Sequence, residues 1–249
     1  MDIRQLILPA AVGLTHLQVY TETSPDGHIG GSPHMHLVCS EIYYVLSGTG
    51  QLELLSADGY SKIDLFPNKV VFFRPGVIHR LLNPNKDLNI LVIMQNGGLP
   101  ERGDFTFPFA DQHFASDIAY ANATKVTSRE DAITRRNLAV DGYLPLRETM
   151  IKDKAKGVEA LRSLYKKAAK MIAPKVDGFE WVLKSGAQAE TKYSLDAIDF
   201  IRMGNTDYLE KSKYAEIFPM NDPIKNGMCG VLHPYALNET YLAEGKKVA

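Results

Sequence analysis

Cysteine is scarce in this chain. There are two in 249 residues, Cys39 and Cys229, far apart and without any C-x-x-C pair, so neither a disulfide framework nor a thiolate zinc site is supported. Neither sign of charge is in surplus, with 28 Lys and Arg against 29 Asp and Glu. Holding nucleic acid by its phosphates needs a cationic excess gathered on one face, and there is none to gather. Long apolar runs are missing too: the stretch 6–14 is interrupted by Pro9 and Gly13 and fits neither a signal peptide nor a membrane span. What remains, 45% hydrophobic and 23% charged, is an ordinary globular composition that excludes a disordered or collagen-like chain. A cytoplasmic protein of one or two domains, with no nucleic-acid or membrane partner, is the expectation.

From about residue 14 to 96, short β-branched and aromatic runs alternate with turn residues, the punctuation of antiparallel sheets. The clearest runs are 17–21, 41–46, 50–55, 69–74 and 88–95. Pro25-Asp26-Gly27, Ser47-Gly48, Asp58-Gly59 and Pro84-Asn85 separate them, a pattern that favours a small β-barrel or sandwich over βαβ units. Residues 97–126 mix Gly and Pro with Phe105, Phe107, Phe109 and Phe114. The first three phenylalanines alternate, which suits an edge strand or a segment across the barrel mouth, with core packing favoured. Helix signals follow. Ser128 with Asp131 three residues on is an N-cap arrangement, and Val158, Leu161, Tyr165, Ala168 and Ile172 line one face of a helix over 154–173 that Pro174 ends. Its basic end, Lys166, Lys167 and Lys170, complements the helix dipole. A stretch containing Pro145 is expected to separate this helix from one at 128–138. Residues 179–184 read as a strand and 194–203 as a short helix closed by Gly204. The expected division is a β-barrel over 1–96, an aromatic loop or flap over 97–126, and a helical and mixed extension over 127–249.

Three of the seven histidines stand in two short segments, His34 and His36 in Pro33-His34-Met35-His36 and His79 in Gly76-Val77-Ile78-His79, and Glu41 follows His36 by five. Alternate residues of a strand share a face, so His34 and His36 project together. A third imidazole and a carboxylate from neighbouring strands complete a donor set that first-row divalent metals take with positions left open. In these positions the chain resembles the cupin superfamily. The first motif is matched by His34, His36, Glu41 and Gly48, although its leading glycine position holds His28. The second is matched by Gly76, His79 and Asn83, with Asn68 where glycine is usual and the proline shifted to Pro75. The resemblance implies a double-stranded antiparallel β-barrel, jelly-roll-like, with His34, His36, Glu41 and His79 around one divalent ion. It also implies a homodimer, and it leaves the reaction open.

Other residues are weighed against plainer roles. Tyr43 and Val45 share the parity of Glu41 and face inward; Tyr43 is a proton donor to bound substrate or simply core. Arg74 is an anion clamp or a rim ion pair, Gln95 a substrate amide contact if its strand points it inward, and His28 a substrate contact or a solvent-facing loop residue. His16, His113 and His233 lack ligand spacing. Cys39 is buried packing, since no partner pattern supports covalent catalysis. The main expectation is a metal-dependent enzyme acting on a small polar metabolite, a carbohydrate or organic acid. It works by isomerase, lyase or dioxygenase chemistry, with Tyr43 or Glu41 handling a proton and Zn, Mn, Fe or Ni as the ion. The second expectation is a small-molecule-binding or sensor protein without catalysis.

Overall fold

A computed structural model describes residues 8–212, 216–222 and 224–235. The start of the 6–14 stretch and the end of the extension lie outside them. Seven strands come first: β1 Gly13–Val19, β2 Glu41–Ser47, β3 Gly50–Ser56, β4 Gly59–Leu65, β5 Val70–Phe73, β6 Ile78–Leu82 and β7 Asn89–Met94. Five α-helices follow: α1 Asp117–Thr124, α2 Arg129–Lys152, α3 Lys154–Ile172, α4 Val176–Leu183 and α5 Ala189–Arg202. Two late strands close the order, β8 Lys225–Asn226 and β9 Gly230–Pro234. The strands form two antiparallel sheets, one ordered β5-β2-β7-β1-β9-β8 and the other β4-β3-β6. This is a jelly-roll pair of sheets rather than a fully closed barrel.

Period two decides which side chains meet. In β7, Ile90, Val92 and Met94 are buried while their neighbours are partly exposed. Tyr43 and Val45 of β2 and Leu17 and Val19 of β1 join them, and Leu52 and Leu81 face them from the smaller sheet. β6 is buried along its whole length because its other face is covered as well. There Ile78 and Leu55 pack against Tyr143, Met150, Leu161, Leu164 and Ala168 of α2 and α3. The helical extension is therefore the outer layer of the small sheet.

Two strands escaped the sequence pattern. β4 is largely polar and exposed, and β6 carries His79 and Arg80 among its apolar residues, so neither alternates clearly. Two expectations are corrected. Residues 179–183 belong to α4 and Lys184 to the helical turn after it, not to a strand: Phe179 and Val182, three apart, bury one face while Trp181 stays exposed with the Arg102 guanidinium 4.7 Å over its ring. An apolar run this short carries no period that separates helix from strand. Nor does Pro145 interrupt α2, which continues to Lys152. One helical hydrogen bond is lost there, but buried Ala139, Val140, Tyr143 and Met150 hold both sides of the proline to the core. The capping box of Ser128 and Asp131 forms as expected.

The alternating phenylalanines form no edge strand. Thr106 alone bridges to Met35, Phe107 and Phe109 pack with Tyr120 and Ala139, and Phe105 turns toward a cavity. No helix among the described residues is long and apolar enough to cross a membrane.

Candidate metal centre

The segment before β2 pairs with β6 through a single reciprocal bridge. The His34 amide donates to the His79 carbonyl at 3.1 Å, and the His79 amide to that of His34 at 2.9 Å. Directly opposed residues place their side chains together, and Nε2 of His34 stands 3.1 Å from Nε2 of His79. Glu41, the first residue of β2, brings Oε2 to 3.4 Å from Nε2 of His36 and 3.3 Å from Nε2 of His79. One donor atom from each of the four residues lies within 4.8 Å of the others, and all four residues are buried.

The far side of each ring is tied to the backbone. Nδ1 of His34 faces the Ser32 carbonyl at 3.1 Å, Nδ1 of His79 faces that of Val77 at 3.1 Å, and Nδ1 of His36 donates to the Asp104 carbonyl. A neutral imidazole has one donor and one acceptor, so a proton on Nδ1 leaves a lone pair on Nε2. The lone pairs of His34 and His79 therefore point at each other, and Oε2 of Glu41 has no hydrogen-bond partner. Buried acceptors facing one another need a cation between them. Donors about 2.1 Å from an ion, at tetrahedral to octahedral angles, stand about 3.0–3.4 Å apart, which matches the His34–His79, His36–Glu41 and His79–Glu41 separations. The residues fit a divalent ion with three nitrogens and one oxygen, and the carbonyls that orient the rings are the supports such ligands use.

Electrostatics agree with this geometry at His34 and Glu41 and favour the proton at His36. Burial, reinforced by the His79 and His36 rings, holds His34 well below the ordinary histidine range. At His36 burial also disfavours the proton, but the Glu41 carboxylate and Asp104 outweigh it and raise the ring. Burial would raise Glu41, yet His79 and His36 keep it ionised below the usual carboxylate range. Tyr43 is driven well above its ordinary value by burial and then by Glu41, so its hydroxyl keeps its proton.

The cluster opens on a cavity of about 240 Å³. At ~30 Å³ per water, that is space for a small metabolite. His34, His36, Glu41 and Tyr43 line one end, Leu17, Val92, Met94, Phe105 and Leu232 form the walls, and Arg135, Met228 and Cys229 complete it. His28, Arg74 and Gln95 are not brought there. All three are exposed: Arg74 and Gln95 each follow an inward residue, Phe73 and Met94, and so turn outward by strand parity, and His28 sits in the 24–28 turn.

Three contributors were missed in the sequence. Asp104, fully buried, accepts from the amides of Leu37 at 2.9 Å, Val38 at 3.1 Å and Cys39 at 2.8 Å, pinning the loop between His36 and Glu41. Cys229 leads into β9 and reaches the site because Gly31 has no side chain; a Cβ there would lie 2.7 Å from the Cys229 Cα. Arg135 comes from α2. A signal for it existed: Ala132, Arg135, Arg136, Ala139, Val140 and Tyr143 form one helical stripe, and two arginines in an otherwise apolar stripe are buried cations.

Residues 20–94 match the family model described as a cupin domain. No curated protein sequence matches the chain. Similar solved structures include the TDP-fucose-3,4-ketoisomerase WlaRA of Campylobacter jejuni, 16% identical over 37% of this chain and 64% of that one, TM-score 0.31. The capsular polysaccharide assembling protein CapF of Staphylococcus aureus is 20% identical over 39% and 26%, TM-score 0.30. The DMSP lyase DddQ of Ruegeria pomeroyi DSS-3 is 20% identical over 36% and 41%, TM-score 0.29. The chain spans less than two thirds of the length of each. Residues 20–94, the stretch similar to a cupin domain, carry all four donors.

Proposed function

We propose that this protein is a metal-dependent enzyme acting on a small polar metabolite, a carbohydrate or an organic acid. The observation that carries the reading is the convergence of three imidazoles and one carboxylate at the end of a cavity, with each ring's second nitrogen already tied to a backbone carbonyl. His34, His36, Glu41 and His79 would hold the ion, with Zn, Mn, Fe and Ni all compatible with this donor set. When bound, it supplies Lewis-acid polarisation of a substrate oxygen and steadies negative charge beside it.

The remaining chemistry belongs to the chain. Tyr43 projects into the cavity with its proton held, which makes it a hydrogen-bond donor to a substrate oxygen. Glu41 stays ionised, which suits it to hold the ion more than to take up a proton. Leu17, Val92, Met94 and Phe105 exclude water from that end. Isomerase, lyase and dioxygenase reactions all use such a site. A homodimer and a cytoplasmic location belong to the same reading; light scattering from a 27.7 kDa particle would overturn the dimer.

The test is elemental analysis of purified protein after exposure to Zn, Mn, Fe or Ni. One equivalent of one of these metals is expected in the wild type and none in a folded His34→Ala/His36→Ala variant. A wild type that takes up no metal refutes the reading. Assays of keto-sugars, uronates and 1,2-diketones with and without O2 then separate the reactions, and a metal-loaded protein that binds but never turns over a ligand is the sensor alternative.

A further inference from the structure

Three arginines are nearly or fully buried, and two have their charge met by several acceptors, although Nε of Arg80, like that of Arg135, lacks a partner. Arg80 donates to Asp26 at 2.7 and 3.0 Å and to the Ser24 hydroxyl at 2.9 Å, with Glu53 3.5 Å away. Arg136 donates to the carbonyls of Glu22, Gly30 and Thr23 at 2.6, 3.1 and 2.8 Å, clamping the loop before the His34 segment. Arg135 differs from both. It is 6% exposed and lines the cavity, its single hydrogen bond goes to the Gly227 carbonyl at 2.6 Å, and its Nε has no partner. Among the described residues no carboxylate is paired with it, and its other support is the face of Phe107, 5.1 Å from the guanidinium carbon.

Taking a cation out of water costs several kcal/mol unless an anion or a full set of acceptors compensates it. One carbonyl and one ring face do not form that set, and a planar five-donor group is left turned to a cavity whose walls are mostly apolar. Two carboxylates share this cavity: Glu41 is turned to the His36 and His79 rings of the candidate metal cluster, and Glu101 is exposed, where water screens it. A neutral polyhydroxylated ligand would leave the guanidinium uncompensated and would set its hydroxyls against Leu17, Val92, Phe105 and Leu232.

We infer that Arg135 is a substrate-binding residue, and that the ligand of this cavity is a small monoanion, a carboxylate with a short apolar body, its charge held by the Arg135 guanidinium. The inference rests on the proposed enzyme reading and narrows its substrate class from carbohydrate or organic acid to organic acid. The helical extension then has a function beyond covering the small sheet: α2 delivers the group that selects substrate by charge, and the Gly227 carbonyl fixes one edge of its fork so that the rest is presented in a set orientation. A fork-to-carboxylate pair contributes two parallel charge-assisted hydrogen bonds, so losing it weakens binding about 10- to 100-fold.

The experiment is calorimetric titration with isobutyrate and its neutral isostere isobutyramide, on wild-type, Arg135→Gln and Arg135→Lys proteins, metal-free and Zn-loaded. Isobutyrate is expected to bind wild type at least about tenfold more tightly than isobutyramide. Arg135→Gln, which can still donate to Gly227, is expected to lose that preference with its zinc stoichiometry unchanged, and Arg135→Lys to keep part of it. Equal affinity for the two probes in wild type, no isobutyrate binding at all, or an undiminished preference in Arg135→Gln would overturn the inference. The wild-type comparison needs no variant to fold. Failure of the metal reading stays separate, because a protein that takes up no zinc while preferring isobutyrate through Arg135 retains the anion site and loses only the metal.

Discussion

Asp104→Asn changes no shape and removes one charge from beneath the candidate metal centre. The carboxylate receives three backbone amides, Leu37 and Val38 on Oδ1 and Cys39 on Oδ2, with Val38 shared at 3.3 Å. An amide side chain offers one oxygen, and its NH2 group must then face an N–H donor. Turned to keep Leu37 and Val38, it forfeits the Cys39 bond and leaves that amide buried without an acceptor. A hydrogen bond to a charged group contributes about 1.5–3 kcal/mol, and an orphaned buried donor costs about 1–3 kcal/mol, so the loss is about 3–4 kcal/mol. At ~2–4 °C per kcal/mol for a chain of this size, the metal-free protein should melt about 6–16 °C lower and still fold. The freed loop joins His36 to Glu41, so zinc affinity should fall about 10- to 100-fold as well. Thermal melts of the metal-free protein and zinc titrations against a chromophoric chelator measure the two effects. A melting temperature within about 1 °C of wild type would refute the idea that these three bonds hold the loop.

Three further outcomes follow from the same reasoning. Burial would raise the Asp26 carboxyl, but the bidentate Arg80 pair and the Ser24 hydroxyl hold it well below the ordinary range. A folded value below the unfolded value of about 3.9 means that the stabilisation is present above that pH and lost as pH falls toward the folded value. The urea-midpoint gap between wild type and Asp26→Asn should therefore be widest near neutrality and shrink below about pH 4; a gap that grows with acid would contradict this pairing. Burial pushes the thiols of Cys39 and Cys229 up to about 12. Iodoacetamide at pH 8 should label neither in the folded protein and both in urea, as mass spectrometry reads, and labelling of folded protein would show one of them open to reagent. Chelator treatment of zinc-loaded protein should lower the melting temperature, since the ion binds the folded cluster and not the dispersed ligands; an unchanged melt would mean that the cluster gains nothing from metal.

Local physics made part of this molecule legible in the chain alone. The H-x-H pair lies on alternating residues, Glu41 opens the next strand and His79 closely follows the Pro75-Gly76 turn, so their types and spacing already describe a candidate donor set. Strand parity likewise placed Tyr43 and Val45 inward beside Glu41. The capping box at Ser128 and the helix over 154–172 needed only nearest neighbours and a 3.6-residue period. Where the local signal was weak or divided, it misled: the eight residues of α4 have no decisive period, and Pro145 speaks against a helix that tertiary burial nonetheless sustains.

Tertiary structure alone decided the rest of the site, because those residues act across long separations. β9 lies between β1 and β8, bringing Cys229 and the Gly227 carbonyl to the cavity from some 200 residues away from the first motif. Asp104 reaches back to the loop after His36, and α2 turns Arg135 toward the same space. Spacing along a chain specifies which atoms can share an ion when turns and strands join them; which distant charge faces that ion depends on how layers pack. The sequence by itself therefore marked the four side chains that converge as a candidate donor set, and the packing of the helical layer and the last strand decided what stands opposite them.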